Sequence, residues 1–255
     1  IWHAGRAAHP DINGGQRTVS SSATAIEGEI HTPAGKVPHA VPHALSTDEI
    51  ASIVAAFAQG AKNAIEAGFA GVEVHGANGY LIDQFLRDGC NQRTDAYGGS
   101  VENRARFLFE VLTGVSAAIG SDRVGLRLSP LNSFNSMKDS DPVGLTAYLA
   151  EKLNDFKLAY LHLMRADFFG VQKADVMAVA REKYKGVLIG NMGYSAEEAE
   201  QAIKEGKLDA VAFGNSYIAN PDLPERVKAG AALNVPDSST YYTPGAKGYT
   251  DYPTM

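Results

Sequence analysis

From Thr47 onward the chain alternates stretches of helical period with short aliphatic runs, and that alternation restricts it to a parallel α/β architecture. Ile50, Ile53, Val54, Phe57, Ala61, Ala64 and Ile65 recur at helical spacing, which predicts a helix over residues 47–67, with Ser46 and Glu49 as a capping box. After Gly68, residues 71–75 read as a strand. A second amphipathic helix carries Phe107, Leu108, Val111, Leu112, Val115 and Ile119 on its apolar stripe. Further strands are expected at 124–129, 158–164, 187–191 and 210–214, separated by helices near 143–154, 174–184 and 195–205. Pro130 ends its strand because proline has no N–H for a ladder. A strand-like stub at Ile1–Ala4 precedes these units.

Three stretches fall outside the pattern. Residues 6–45 are polar, hold Gly, Pro and Ser, and show no sustained period, so they read as a functional excursion loop. Residues 76–100 form a loop rich in Gly, Asn, Arg and Asp, and the tyrosine-bearing end, 236–255, reads as a capping loop. Open doubly wound sheets also alternate strand and helix, but their nucleotide-binding form needs a Gly-x-Gly-x-x-Gly turn after the first strand, and none is present. The TIM (β/α)8 barrel is therefore preferred, as a single domain over residues 1–255.

A chain of 255 residues, 45% hydrophobic and 20% charged, can bury a sizeable core. Net charge is −6 and the basic residues are scattered, which argues against a nucleic-acid surface. Cys90 is the only cysteine, so neither an internal disulfide nor a cysteine-ligated metal or iron–sulfur centre is expected. With no membrane-spanning run and no secretory leader in view, a cytoplasmic setting is expected.

In barrels of this kind the working residues sit at the C-terminal ends of strands. Here those ends supply His75, Asn78 and Tyr80, then Arg127, then Gly190 and Asn191, then Gly214 and Asn215. His75 and Asn78 carry donors that can converge on one oxygen and polarise a carbonyl or nitro group. A phenol such as Tyr80 can then deliver a proton. Taken singly these residues are weak evidence, since a strand-end histidine is more often structural.

The whole string from residue 71 to 104 is far more specific: Gly-Val-Glu-Val-His-Gly-Ala-Asn-Gly-Tyr-Leu-Ile-Asp-Gln-Phe-Leu-Arg-Asp, then Gly-Cys-Asn-Gln-Arg-Thr-Asp-Ala-Tyr-Gly-Gly-Ser-Val-Glu-Asn-Arg. It closely resembles the old yellow enzyme family of FMN-dependent ene-reductases. Asn220-Pro221-Asp222-Leu223 and Gly248-Tyr249-Thr250-Asp251-Tyr252-Pro253 agree with the same pattern. The resemblance implies that His75 and Asn78 grip the substrate oxygen and that Tyr80 is the proton donor. It implies that Arg127 faces the pyrimidine end of FMN, and that Gly190, Asn191, Gly214 and Asn215 cradle the phosphate. Trp2 and Tyr242 resemble substrate-pocket aromatics, and Tyr241 a residue at the flavin rim. NADPH or NADH would be the reductant and an activated alkene the substrate.

Two departures stand out. Most of the family has arginine where this chain has Asn215, which predicts looser FMN binding through backbone amides. The family barrel also has eight strands, whereas this chain begins at the equivalent of the third. The expectation is an N-terminally incomplete barrel that needs a complementary N-terminal fragment or chain of roughly 100 residues to close. A catalytically impaired flavin-binding fragment is the alternative, and a flavin-free lyase barrel is disfavoured because no lysine or metal ligands stand at the strand ends.

Overall fold

The computed structural model describes residues Ile1–Met255. The excursion is more ordered than its composition suggests. Strands β1 (Val19–Ser20) and β4 (His43–Ala44) pair in parallel, and β2 (Glu29–Thr32) with β3 (Gly35–Pro38) makes an antiparallel hairpin. The Thr32 hydroxyl closes the hairpin turn by donating to Gly35 O at 3.0 Å and accepting from the Ala34 N–H.

Helix α1 (Thr47–Glu66) begins with the expected reciprocal capping box between Ser46 and Glu49. Strand β5 (Val72–Gly76) follows, then α2 (Leu81–Leu86) and α3 (Val101–Ile119). Every residue of α2 is buried, so it lacks the polar face that would give it a legible period. The remaining units are β6 (Val124–Leu128), α4 (Pro142–Leu153), β7 (Tyr160–Met164), α5 (Val176–Lys183), β8 (Leu188–Asn191), α6 (Ala196–Lys204) and β9 (Ala210–Ala212). Two short helices close the series, α7 (Asn215–Ala219) and α8 (Leu223–Ala229).

Strands β5 to β9 form one parallel sheet in strictly sequential order. That order fits the wall of a barrel; a doubly wound sheet reverses direction at a switch point. The register separates the two faces. Val74, Leu126, Leu161 and Leu188 align on one row and belong to the core under the helices, with Phe107, Leu108, Leu112 and Leu149. Each such fully buried side chain contributes about 1.5–3 kcal/mol. His75, Arg127, His162 and Ile189 align on the opposite, inner face. One residue pair below, Glu73, Gly125 and Tyr160 share a row, and a Cβ at Gly125 would come 2.2 Å from the Tyr160 ring. Glycine there makes room for the aromatic ring on that face of the sheet.

The stub at Ile1–His3 lies along the free edge of β5, with His75 N–H donating to Ile1 O at 3.0 Å and Leu81 N–H to His3 O at 3.0 Å. The last residues, 236–255, are mostly irregular but tied down. Arg226 and Asn234 both donate to Pro253 O, and Asp237 N–H meets the Tyr252 hydroxyl at 2.8 Å.

Candidate active site

Strand β5 delivers His75 to the inner face, and the turn after it projects Asn78 and Tyr80 over the mouth of the sheet. The turn needs left-handed backbone at Asn78 (φ 57°) and Gly79 (φ 71°). Asparagine tolerates that region, and a Cβ at Gly79 would also stand 2.7 Å from Asn135 Cβ. Its polar backbone is fully engaged. Asn78 N–H donates to Ser129 Oγ (2.7 Å), Asn78 O accepts from Asn135 Nδ2 (3.0 Å), Gly79 N–H donates to Asp83 Oδ2 (2.8 Å) and Gly79 O accepts from Gln84 Nε2 (2.8 Å). Burial pushes Asp83 up to about 6 despite Arg87 and the Gly79 N–H beside it.

The aromatic residues converge. Tyr80 packs edge to face on Trp2 with ring centres 4.5 Å apart, and lies 5.4 Å from the His75 ring. Burial, helped by the Arg127 charge, pushes His75 down to about 4. At neutral pH its imidazole is therefore uncharged, with one N–H to donate. Burial and then Tyr242 hold the Tyr80 phenol above its ordinary value, so it keeps its proton. Beside Tyr80 and Trp2 opens a cavity of about 860 Å³ whose wall includes Ile30, His39, Phe134 and Phe169.

Arg127 adjoins His75 in register. Its guanidinium donates to Asn191 Oδ1 at 2.9 Å, and Asn191 Nδ2 in turn donates to Ala212 O at 2.8 Å. Its Nε is buried with no partner in the chain. Burial lowers its pKa and Glu73 opposes that. Glu73 is itself occupied by His162 Nδ1 at 2.9 Å. Burial alone would raise Glu73, but His162 and then Arg127 outweigh it and hold the carboxyl below its usual value.

The strand ends opposite place the other expected residues differently from one another. The missing Cβ of Gly190 points outward, where it would meet Leu208 at 2.5 Å. Gly214 has open space at the same position and precedes the exposed Asn215 at the start of α7. Tyr242 is 99% exposed and Tyr241 half-buried, and neither makes a hydrogen bond or ring contact with His75, Asn78 or Tyr80. Sequence reading missed Arg165, which donates to Met192 O (2.8 Å) and Gly193 O (2.7 Å) and stacks 3.7 Å over the Tyr194 ring. It clamps the loop after β8, where Met192 adopts φ 86°. Asp83, Gln84, Ser129 and Asn135, the supports of the Asn78 turn, were also missed.

Residues 1–234 match the model of the NADH:flavin oxidoreductase / NADH oxidase family. A probable flavin mononucleotide-dependent alkene reductase of Leishmania infantum is 54% identical over 264 residues, spanning 100% of this chain and 71% of that protein. The solved old yellow enzyme from Trypanosoma cruzi superposes with a TM-score of 0.94 at 45% identity, covering 99% of this chain and 72% of that one. Morphinone reductase in complex with tetrahydroNAD gives a TM-score of 0.92 at 44% identity, covering 100% and 71%. The chain belongs to the NADH:flavin oxidoreductase family, the old yellow enzymes, whose flavin is FMN.

Proposed function

We propose that this chain carries the active site of an FMN-dependent NAD(P)H:alkene oxidoreductase that reduces the C=C bond of α,β-unsaturated carbonyl or nitro compounds. The observation that carries the reading is an uncharged His75 with the Tyr80 ring 5.4 Å away and Arg127 beside it in register, on the strand that leads into the Asn78 turn. The presence of all three residues, His75, Asn78 and Tyr80, argues against the impaired-fragment alternative.

The residues present fit FMN. Arg127 is a half-buried cation whose buried Nε has no partner in the chain and whose guanidinium donates to the neutral amide of Asn191, which suits the acceptor-rich pyrimidine edge. The backbone about Gly190, Asn191, Gly214 and Asn215 would hold the phosphate, with Tyr241 at the ring's rim. Bound there, FMN supplies the hydride and is recharged by NADPH or NADH. His75 and Asn78 hold the substrate's carbonyl or nitro oxygen through N–H donors and stabilise the negative charge that develops on it. Trp2 and Tyr242 flank the substrate, and Tyr80 gives its phenolic proton to the α-carbon.

The same proposal completes the architecture. The sheet ends in β5, with Ile1–His3 lying along its outer side, and in β9, and both ends are left to further polypeptide. Closure of an eight-stranded barrel by further N-terminal polypeptide, in the same chain or as a complementary fragment or chain, would satisfy both edges. The excursion 6–45 and the segment 236–255 then act as covers of one domain. Mass spectrometry of the purified yellow protein tests this: a stable monomer of 27.1 kDa with no companion peptide overturns it.

A further inference from the structure

An asparagine amide has a donor end and an acceptor end of nearly equal shape, and only the donor end serves a substrate oxygen. From the hydrogen bonds around Asn132 we infer that this residue decides which end of Asn78 faces the mouth. The inference rests on the reading of Asn78 as an oxygen-binding donor.

Asn132 lies in the loop after β6 and is fully buried. Its Oδ1 accepts from two backbone N–H groups, Phe134 at 3.3 Å and Phe168 at 3.4 Å. A backbone N–H only donates, so the oxygen must be the end that meets them. The Nδ2 of Asn132 is thereby turned toward Asn78, and it donates to Asn78 Oδ1 at 2.9 Å. That contact occupies the acceptor end of Asn78 and leaves its Nδ2 as the end turned away from Asn132. A flipped Asn78 would set two amide nitrogens against each other with neither able to accept, an expensive arrangement beside the fully buried Asn132.

The polarity is thus relayed from two main-chain N–H groups through Asn132 to Asn78 and outward. The anchor is firm. Asn132 N–H donates to Ser129 O at 3.1 Å, and the buried Arg87 donates to Ser129 O (3.1 Å) and Asn132 O (3.4 Å). Asn132 touches no substrate in this account; it is a positioning residue acting through Asn78.

Asn132→Asp is the sharp test. Its carboxylate can still accept from Phe134 and Phe168, but its other oxygen now demands a donor and turns the Asn78 Nδ2 inward. Binding of 4-nitrophenolate to the FMN-loaded protein, measured by calorimetry, is expected to weaken on the order of tenfold or more. Asn132→Ser, which leaves both ends of Asn78 unconstrained and adds no charge, is expected to weaken it about twofold to fivefold. In an Asn78→Ala background either change at 132 should alter binding by less than about twofold, because the relay has lost its output. Equal weakening in both backgrounds would mean charge repulsion or general loosening, and would overturn the inference. So would unchanged binding in Asn132→Asp or Asn132→Ser. If Asn78→Ala alone leaves phenolate binding unchanged, the reading of Asn78 fails instead.

Discussion

The ring of Tyr80 lies 5.4 Å from that of His75 and is tilted 51° to it, so the phenol and the imidazole share one opening without bonding to each other. A phenol free of a protein acceptor keeps its proton for the substrate. Tyr80→Phe should therefore slow alkene reduction by about 10²–10⁴-fold while sparing reduction of the flavin by NADPH. Stopped-flow traces of the two half-reactions check this, and equal loss in both would remove Tyr80 from the role of acid.

Asn215 stands exposed where α7 begins, next to the open space at Gly214. A guanidinium placed there has room to reach a phosphate bidentately, which an asparagine cannot do. Asn215→Arg should tighten FMN by about tenfold, as a charge-assisted pair would. An unchanged dissociation constant by fluorescence titration would count against a phosphate at this helix start.

His75 is held at about 4, below its ordinary value of 6.5, because burial disfavours the charged ring. The unfolded chain then binds the extra proton first as pH falls. Stability is full above about 6.5 and declines between there and about 4, by on the order of 1–3 kcal/mol for this residue. Denaturant titrations of the wild type and His75→Gln across that window should diverge toward acid pH, the wild type losing more. Parallel curves would show that His75 is not buried neutral.

A methyl group at Gly125 would come 2.2 Å from the Tyr160 ring, on the inner face of the sheet. Gly125→Ala should cost about 1–3 kcal/mol by overpacking, and Tyr160→Leu in the same chain should recover much of it. Thermal midpoints of the single and double variants measure the coupling.

Much of this was legible in the residues because it is local. Helix α1 declared itself through a repeating apolar stripe and the Ser46–Glu49 box, and His75, Asn78 and Tyr80 follow one another off a single strand. Helix α2 was hidden because it is only six residues long and buries all of them, Asp83 and Gln84 included, so no exposed polar face marks a period. The hairpin at Glu29–Pro38 was hidden because its strands are four residues each and half exposed. Supports of the site lie far away in sequence. Ser129, Asn132 and Asn135 meet Asn78 across separations of 51, 54 and 57 residues, since the loop after β6 runs alongside the turn after β5. No spacing rule reports such a contact; it comes from the register of neighbouring strands.

The most direct test of the account is one anaerobic absorbance record of the FMN-loaded protein in the blue. Addition of NADPH should bleach the yellow colour, and addition of 2-cyclohexenone should restore it with one saturated ketone formed per flavin. A protein that stays colourless when supplied with FMN, or that bleaches and does not recover with the enone, would contradict the assignment of His75, Asn78, Tyr80 and Arg127 to a flavin-based alkene reductase.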